Sequence, residues 1–215
     1  MKKAVIFDLD GTLLNTLPDI AAAMNKALSE AGAPTHPEEA YKLFTGDGAK
    51  NLTLRALGER RDLFDRVYAA YGAEYAKNSR VLTKPYPGVM EMLKELAQSG
   101  LKLCVLSNKD DSDVQQVIAY YFGDIPFARV QGVREGGPIK PDARYPLEVA
   151  EALNLPADDF YYVGDTRTDM RCAKNAGMES IAVTWGFQTK EMIAEAAPDH
   201  WAGSSRELTF MLLRG

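Results

Sequence analysis

The chain has 215 residues, with 25 Lys plus Arg against 30 Asp plus Glu and no long block of one sign, so its net charge of −5 disfavours nonspecific nucleic-acid binding. That length suffices for one core of ordinary size with a small inserted domain and excludes a single-layer mini-protein. Cys104 and Cys172 lie far apart in apolar or helical stretches, without a CxxC pair or a His cluster, and read as reduced structural thiols.

In chain order, the first segment is Ala4-Val5-Ile6-Phe7-Asp8-Leu9-Asp10-Gly11-Thr12-Leu13, an apolar run that reads as a buried strand ending in chemistry. A period of two puts Asp8 and Asp10 on one side as the strand ends, close enough to share a metal ion or to divide nucleophile and acid/base roles. Asp10-Gly11 alone would read as a turn. A second carboxylate two residues earlier is harder to explain that way, because neighbouring like charges disfavour each other and a cation relieves them. Gly11 allows a sharp turn or a close approach to a ligand. The few residues before this pair are too few for a signal peptide or a membrane span, so the expectation is a soluble cytoplasmic protein without a membrane partner.

From about Thr16 to Ser79 only helical signals follow: Ile20, Met24, Ala27 and Leu28; then Leu52, Leu54 and Leu57; then Leu63, Phe64, Val67, Tyr68, Tyr71 and Tyr75. The tyrosines sit at helical spacing and fit packing better than a ligand cage. Beyond Val81 the pattern becomes strand and helix in alternation, with apolar runs at Leu101 to Leu106, Phe160 to Val163 and Ser180 to Thr184. Helices start near Pro87, Asp111, Ala143 and Thr168, and Gly100 and Gly177 stand as helix stops. The predicted class is α/β: a doubly wound parallel-sheet core from residues 1–15 and 80–215, with an all-helical insertion over 16–79. His36 and His200 read as unpaired loop residues beside prolines, without a metal or catalytic role.

In an open parallel sheet, ligands bind where strands end. The residues placed there are Asp8 and Asp10, then Ser107, Asn108 and Lys109, then Gly164-Asp165-Thr166 with Asp169 one helical turn on; Lys140-Pro141-Asp142 precedes the helix between the last two. Three or four carboxylates, a hydroxyl or amide donor and an ammonium suit phosphoryl transfer. The carboxylates bind a hard cation such as Mg²⁺ through oxygen, while Ser107 and Lys140 stabilise the phosphoryl charge. Each motif has a plainer reading: Ser107 could cap a helix, Lys140 could be a solvated loop lysine, and Asp165 and Asp169 could serve a helix dipole. Their joint order argues against all three.

These motifs, Asp8-Leu9-Asp10-Gly11-Thr12, Leu106-Ser107-Asn108-Lys109, Lys140-Pro141-Asp142 and Gly164-Asp165-Thr166-Arg167-Thr168-Asp169, resemble the haloacid dehalogenase superfamily, specifically its phosphatase branch with a helical cap and the phosphoglycolate phosphatase-like group. The resemblance covers essentially the whole chain, with Ala173, Ala176 and Gly177 matching the family's small-residue spacing. It implies a Rossmann-like core and a small phosphate ester as substrate. It implies that Asp8 attacks phosphorus to give an aspartyl-phosphate, and that Asp10 protonates the leaving oxygen and then activates water. It further implies Mg²⁺ on the Asp8 carboxylate, the Asp10 backbone carbonyl and Asp165, with Asp169 supporting the metal shell and contacting Lys140 or a metal-bound water. Ser107 and Asn108, with the Gly11 and Thr12 amides, would hold the phosphoryl group, and Lys140 would orient Asp8. One departure is Ala143, where many relatives carry a second proline; Pro146 appears later instead.

In such relatives the helical insertion closes over the site, and the segment from Phe44 to Asn51 resembles the loop that reaches into it. Lys50, in a helix-opening position where a cation is mildly disfavoured, points to an anionic substrate. Trp185-Gly186-Phe187 either lines the site's edge or covers the sheet. The expected function is a Mg²⁺-dependent phosphomonoester hydrolase acting on a small metabolite, 2-phosphoglycolate by resemblance, as a monomer or homodimer. Alternatives are a hexose-phosphate mutase, an inorganic pyrophosphatase, or a non-catalytic phospho-switch or binding protein.

Overall fold

Four consecutive apolar residues form strand β1 (Ala4–Phe7), and all four are fully buried, as a central strand covered on both faces requires. The computed structural model describes residues 2–214. After β1 come β2 (Leu14–Asn15), α1 (Leu17–Glu30), α2 (Tyr41–Phe44), α3 (Gly48–Leu57), α4 (Phe64–Asn78) and β3 (Lys84–Pro85), with β2 and β3 forming a two-stranded sheet. The remainder alternates: α5 (Val89–Gln98), β4 (Lys102–Asp110), α6 (Asp111–Phe122), β5 (Arg129–Val133), α7 (Arg144–Ala152), β6 (Phe160–Gly164), α8 (Arg167–Ala176), β7 (Glu179–Val183), α9 (Lys190–Ala194), β8 (His200–Ala202) and α10 (Ser205–Arg214).

The main sheet runs β5-β4-β1-β6-β7-β8 with every adjacent pair parallel. β1 pairs with β4 on one side (Phe7 opposite Val105) and β6 on the other (Phe7 opposite Val163). The chain therefore winds outward in both directions from β1, which creates a crevice at its C-terminal end. Alternate residues serve opposite layers. Val5, Phe7 and Val105 pack with Val89, Leu93 and Leu96 of α5 and with Val114 and Phe122 of α6. Ile6, Cys104 and Tyr162 pack with Tyr145 and Val149 of α7 and with Cys172 and Ala173 of α8. Burial pushes the Cys104 and Cys172 thiols up to about 12, which leaves both protonated and unreactive at neutral pH.

The inserted block carries α1 to α4, with Val67, Tyr71 and Tyr75 on the buried face of α4 and Tyr71 stacked on Tyr75. Tyr68 stacks on Phe64, so these rings serve packing. Two compact units result, Met1–Leu14 with Pro85–Gly215, and Asn15–Lys84. The second boundary lies beyond the predicted residue 80, and Asp19 supplies the reason. Its buried carboxylate accepts hydrogen bonds from the Leu82 amide (2.9 Å) and the Thr83 amide (2.8 Å), tying the returning segment to the helical unit.

Other expectations need correction. β4 runs on to Asp110, so Ser107, Asn108 and Lys109 lie inside the strand, where a register shift between Leu106 and Asp110 loosens its pairing. The strands β5 and β8 and the helices α9 and α10 were not foreseen. His36 and His200 both have partners: His36 Nε2 lies 2.7 Å from the Ala56 carbonyl oxygen, and His200, within β8, lies 2.6 Å from Glu179 Oε1. Pro146 falls in the first turn of α7, where its missing N–H costs no helical bond, and Asp142 Oδ1 accepts from the Arg144 amide at 2.9 Å, so Ala143 leaves the helix start intact.

Asp19→Ala removes the acceptor for two amides, one of them buried. It should lower unfolding free energy by about 1–3 kcal/mol, read from the midpoint of a urea transition; an unchanged midpoint would show that this anchor carries no stability.

Candidate active site

Three carboxylates gather at the C-terminal end of β1 and β6. One oxygen from each of Asp8, Asp165 and Asp169 lies within 4.8 Å of the others, and all three side chains are buried. Lys140 is buried among them, its Nζ 2.8 Å from Asp8 Oδ1 and 2.7 Å from Asp169 Oδ1. Burial alone would lower the Lys140 ammonium, but the charges of Asp169 and Asp8 outweigh it and hold the group above its ordinary value.

Each acid is fixed by several donors. Asp8 Oδ1 also accepts from the Leu9 amide (2.7 Å), leaving Oδ2 with no donor among the described residues. Asp165 accepts from Thr12 Oγ1 at Oδ1 (2.8 Å) and from the Phe187 amide at Oδ2 (2.7 Å). The approach is close enough that a Cβ on Gly11, whose φ is +87°, or on Gly186 would collide with the Asp165 carboxylate. Asp169 Oδ2 accepts from the Thr166 hydroxyl (2.6 Å) and amide (3.1 Å), while Thr166 Oγ1 accepts from the Asp169 amide, a capping box that opens α8.

The second motif works through its backbone as well as its side chains. Ser107 is buried, its Oγ accepts from the Lys109 amide (3.2 Å), and its own O–H has no acceptor among the described residues. It does not cap α6, whose N-cap is Asp110. The side-chain amide of Asn108, a residue expected to bind phosphate, grips Lys140: Oδ1 accepts from the Lys140 amide (2.7 Å) and Nδ2 donates to the Lys140 carbonyl (3.4 Å).

The first motif also departs from expectation. The Gly11 amide donates to the Leu14 carbonyl (2.8 Å) and the Thr12 amide to the Leu9 carbonyl (3.3 Å), so neither is open to a phosphoryl group; the loop closes on itself through them. The Asp10 amide is the one in Asp10-Gly11-Thr12 that makes no hydrogen bond among the described residues. The Asp10 carboxylate stands outside the three-acid cluster, with Oδ1 2.9 Å from Lys109 Nζ. Trp185 and Phe187 belong to the site: the Trp185 indole donates to the Thr12 carbonyl (3.0 Å), and Trp185 packs beside Tyr86, whose hydroxyl is pushed up by burial and by the charges of Asp165 and Asp10. Lys50 lies in the other unit, exposed in the first turn of α3.

A family model for haloacid dehalogenase-like hydrolases matches residues 5–183. The chain belongs to that family. Among its relatives, the phosphoglycolate phosphatase of Vibrio parahaemolyticus is 34% identical over 96% of this chain and 94% of its own length. That of Mannheimia succiniciproducens is 34% identical over 92% of both. Two solved structures, from Lactobacillus delbrueckii subsp. bulgaricus and Haemophilus somnus, each named phosphoglycolate phosphatase by prediction, superpose with TM-scores of 0.92 and 0.91. Their identities are 29% and 28%, and they cover 100% of both chains and 98% and 97% of this chain and theirs, respectively. Among the described residues, no helix is long and apolar enough to cross a membrane.

The cluster suits a hard divalent cation, because three buried carboxylates face a single ammonium and every available ligand is oxygen. Burial, followed by the charge of Asp169, raises Asp8 well above the usual carboxylate range and raises Asp165 from 3.8 to about 7. Both acids bind protons in the folded protein that they would release when unfolded at the same pH. Their contribution to stability is therefore full below the unfolded value and is lost as pH rises toward about 7 for Asp165. In a chelator, melting temperature should carry this downward component between pH 5 and 7.5, and a saturating divalent cation should flatten it by drawing both carboxyls into their ionised forms. Parallel pH profiles with and without the cation would count against the assignment.

Proposed function

We propose that this protein is a Mg²⁺-dependent phosphomonoester hydrolase that works through an aspartyl-phosphate on Asp8, with 2-phosphoglycolate as the favoured substrate. The observation that carries the reading is which groups remain unspent. Asp8 Oδ2 has no donor, while the Asp10 amide, the Ser107 hydroxyl and one N–H of Lys140 have no acceptor among the described residues. One nucleophilic oxygen and three donors match one phosphoryl group.

Asp8 Oδ2 bonds to phosphorus as the bond to the ester oxygen breaks, and the Asp10 carboxyl gives that oxygen its proton. Asp10, now a carboxylate, takes a proton from water as the water oxygen bonds to phosphorus and the bond to Asp8 Oδ2 breaks, releasing inorganic phosphate. Lys140 holds the unreactive oxygen of Asp8 and faces the phosphoryl charge with its remaining proton, and Ser107 donates to another phosphoryl oxygen. Asp8, Asp165 and the Asp10 carbonyl would hold Mg²⁺, with Asp169 in support; when bound, the ion neutralises phosphoryl charge. The substrate preference is supported by the names of the relatives and by their match along the chain.

Phosphate release should require Mg²⁺, and across 2-phosphoglycolate, sugar phosphates, nucleotides, pyrophosphate and an aryl phosphate the first should lead in kcat/KM by a hundredfold or more, about 2.7 kcal/mol. A sugar phosphate consumed without phosphate release would instead indicate a mutase, and preference for pyrophosphate a pyrophosphatase. Asp8→Asn should lower kcat by about a thousandfold or more with the fold retained. Substantial turnover by that variant would falsify the covalent route.

A further inference from the structure

Asp8, Asp165 and Asp169 are each fixed by two or more donors, whereas the Asp10 carboxylate has one partner among the described residues. That partner is Lys109, whose Nζ lies 2.9 Å from Asp10 Oδ1, with the two side chains only 9% and 20% exposed. An ion pair this sheltered keeps far more of its strength than one on the surface.

Asp10 needs such a partner. It sits on the turn before Gly11, whose positive φ marks a sharp change of direction, and its backbone amide makes no hydrogen bond among the described residues. Lys109 reaches Asp10 from the end of β4, the strand beside β1, and its amide donates to Ser107 Oγ.

We propose that Lys109 is the positioning residue for Asp10: it holds Oδ1 and thereby leaves Oδ2 to move the proton in both steps. The inference rests on the acid/base role given to Asp10 above. It also links the second motif to the first through a side chain, because the strand end that presents the Ser107 hydroxyl to phosphate sets the direction of the proton carrier.

Leaving-group chemistry tests it. An aryl phosphate expels a stable phenolate without a proton from Asp10, whereas an alkyl phosphate such as 2-phosphoglycolate needs that proton; the water step needs Asp10 in either case. For Lys109→Met, stopped-flow release of nitrophenolate in the first turnover of 4-nitrophenyl phosphate should stay within about threefold of the parent enzyme, followed by a steady state slowed about 10- to 100-fold. Turnover of 2-phosphoglycolate should fall by at least as much, mainly in kcat. Lys109→Arg should restore most of the lost rate, and Lys109→Gln should repeat the Met result in a polar background if Met fails to fold.

Equal slowing of the aryl burst and alkyl turnover would assign Lys109 a general structural role and overturn the proposal. Unchanged kinetics for both substrates would overturn it as well. Asp10→Asn separates this from failure of the underlying reading. If Asp8→Asn is inactive and Asp10→Asn shows the burst split while Lys109→Met does not, only the positioning role fails; if Asp8→Asn turns over, the hydrolytic reading fails first.

Discussion

The site depends on an ammonium held between carboxylates that would otherwise repel one another. Lys140 bridges Asp8 and Asp169, whose charges more than offset the cost of burying it. Removing one partner of such a buried group leaves an uncompensated charge, which generally costs several kcal/mol. Lys140 stands outside regular structure, after β5, so its position has to be enforced. Asn108 grips its backbone on both sides, and Asn175 Nδ2 donates to the Pro141 carbonyl at 2.8 Å. A residue from β4 and one from α8 thus hold the loop against the end of β1.

The same economy appears around Asp165. Its two oxygens are held by groups far apart in sequence, the Thr12 hydroxyl after β1 and the Phe187 amide after β7. Both loops must come close, and Gly11 and Gly186 permit it because a side chain at either position would strike the carboxylate. Geometry at this acid therefore reports the packing of three neighbouring strands, β1, β6 and β7. A shift in any of them would change the carboxylate's orientation.

Much of this was legible because strongly apolar runs and polar strand ends occupy the same short stretches. β1, β6 and β7 stand out because nearly all their residues are buried. β5 and β8 do not, since Arg129, Gln131 and His200 lie in edge-proximal strands where polar side chains are tolerated. Asp8, Asp165 and Asp169 are legible from the polar ends of apolar runs and Lys140 from its place before a helix, and Thr166 is legible too, since Thr166-x-x-Asp169 is a capping signature. Pattern locates residues without showing where their hydrogen bonds go: the Asn108 side chain grips Lys140, and the Gly11 and Thr12 amides close their own loop. The ion pair of Lys109 with Asp10 spans 99 positions and leaves no local periodicity to detect.

Asp169 shows why fold and site cannot be separated here. Its Oδ2 closes the capping box of α8 with Thr166, and its Oδ1 holds Lys140. The helix cap and the grip on Lys140 are carried by different oxygens of one side chain. A helix N-terminus favours negative charge, so α8 stabilises the carboxylate that in turn keeps Lys140 charged. The donors left over are then those of Asp10, Ser107 and Lys140, each on a separate strand end or loop. Parallel strands that wind both ways from β1 bring these distant segments to the same edge of the sheet.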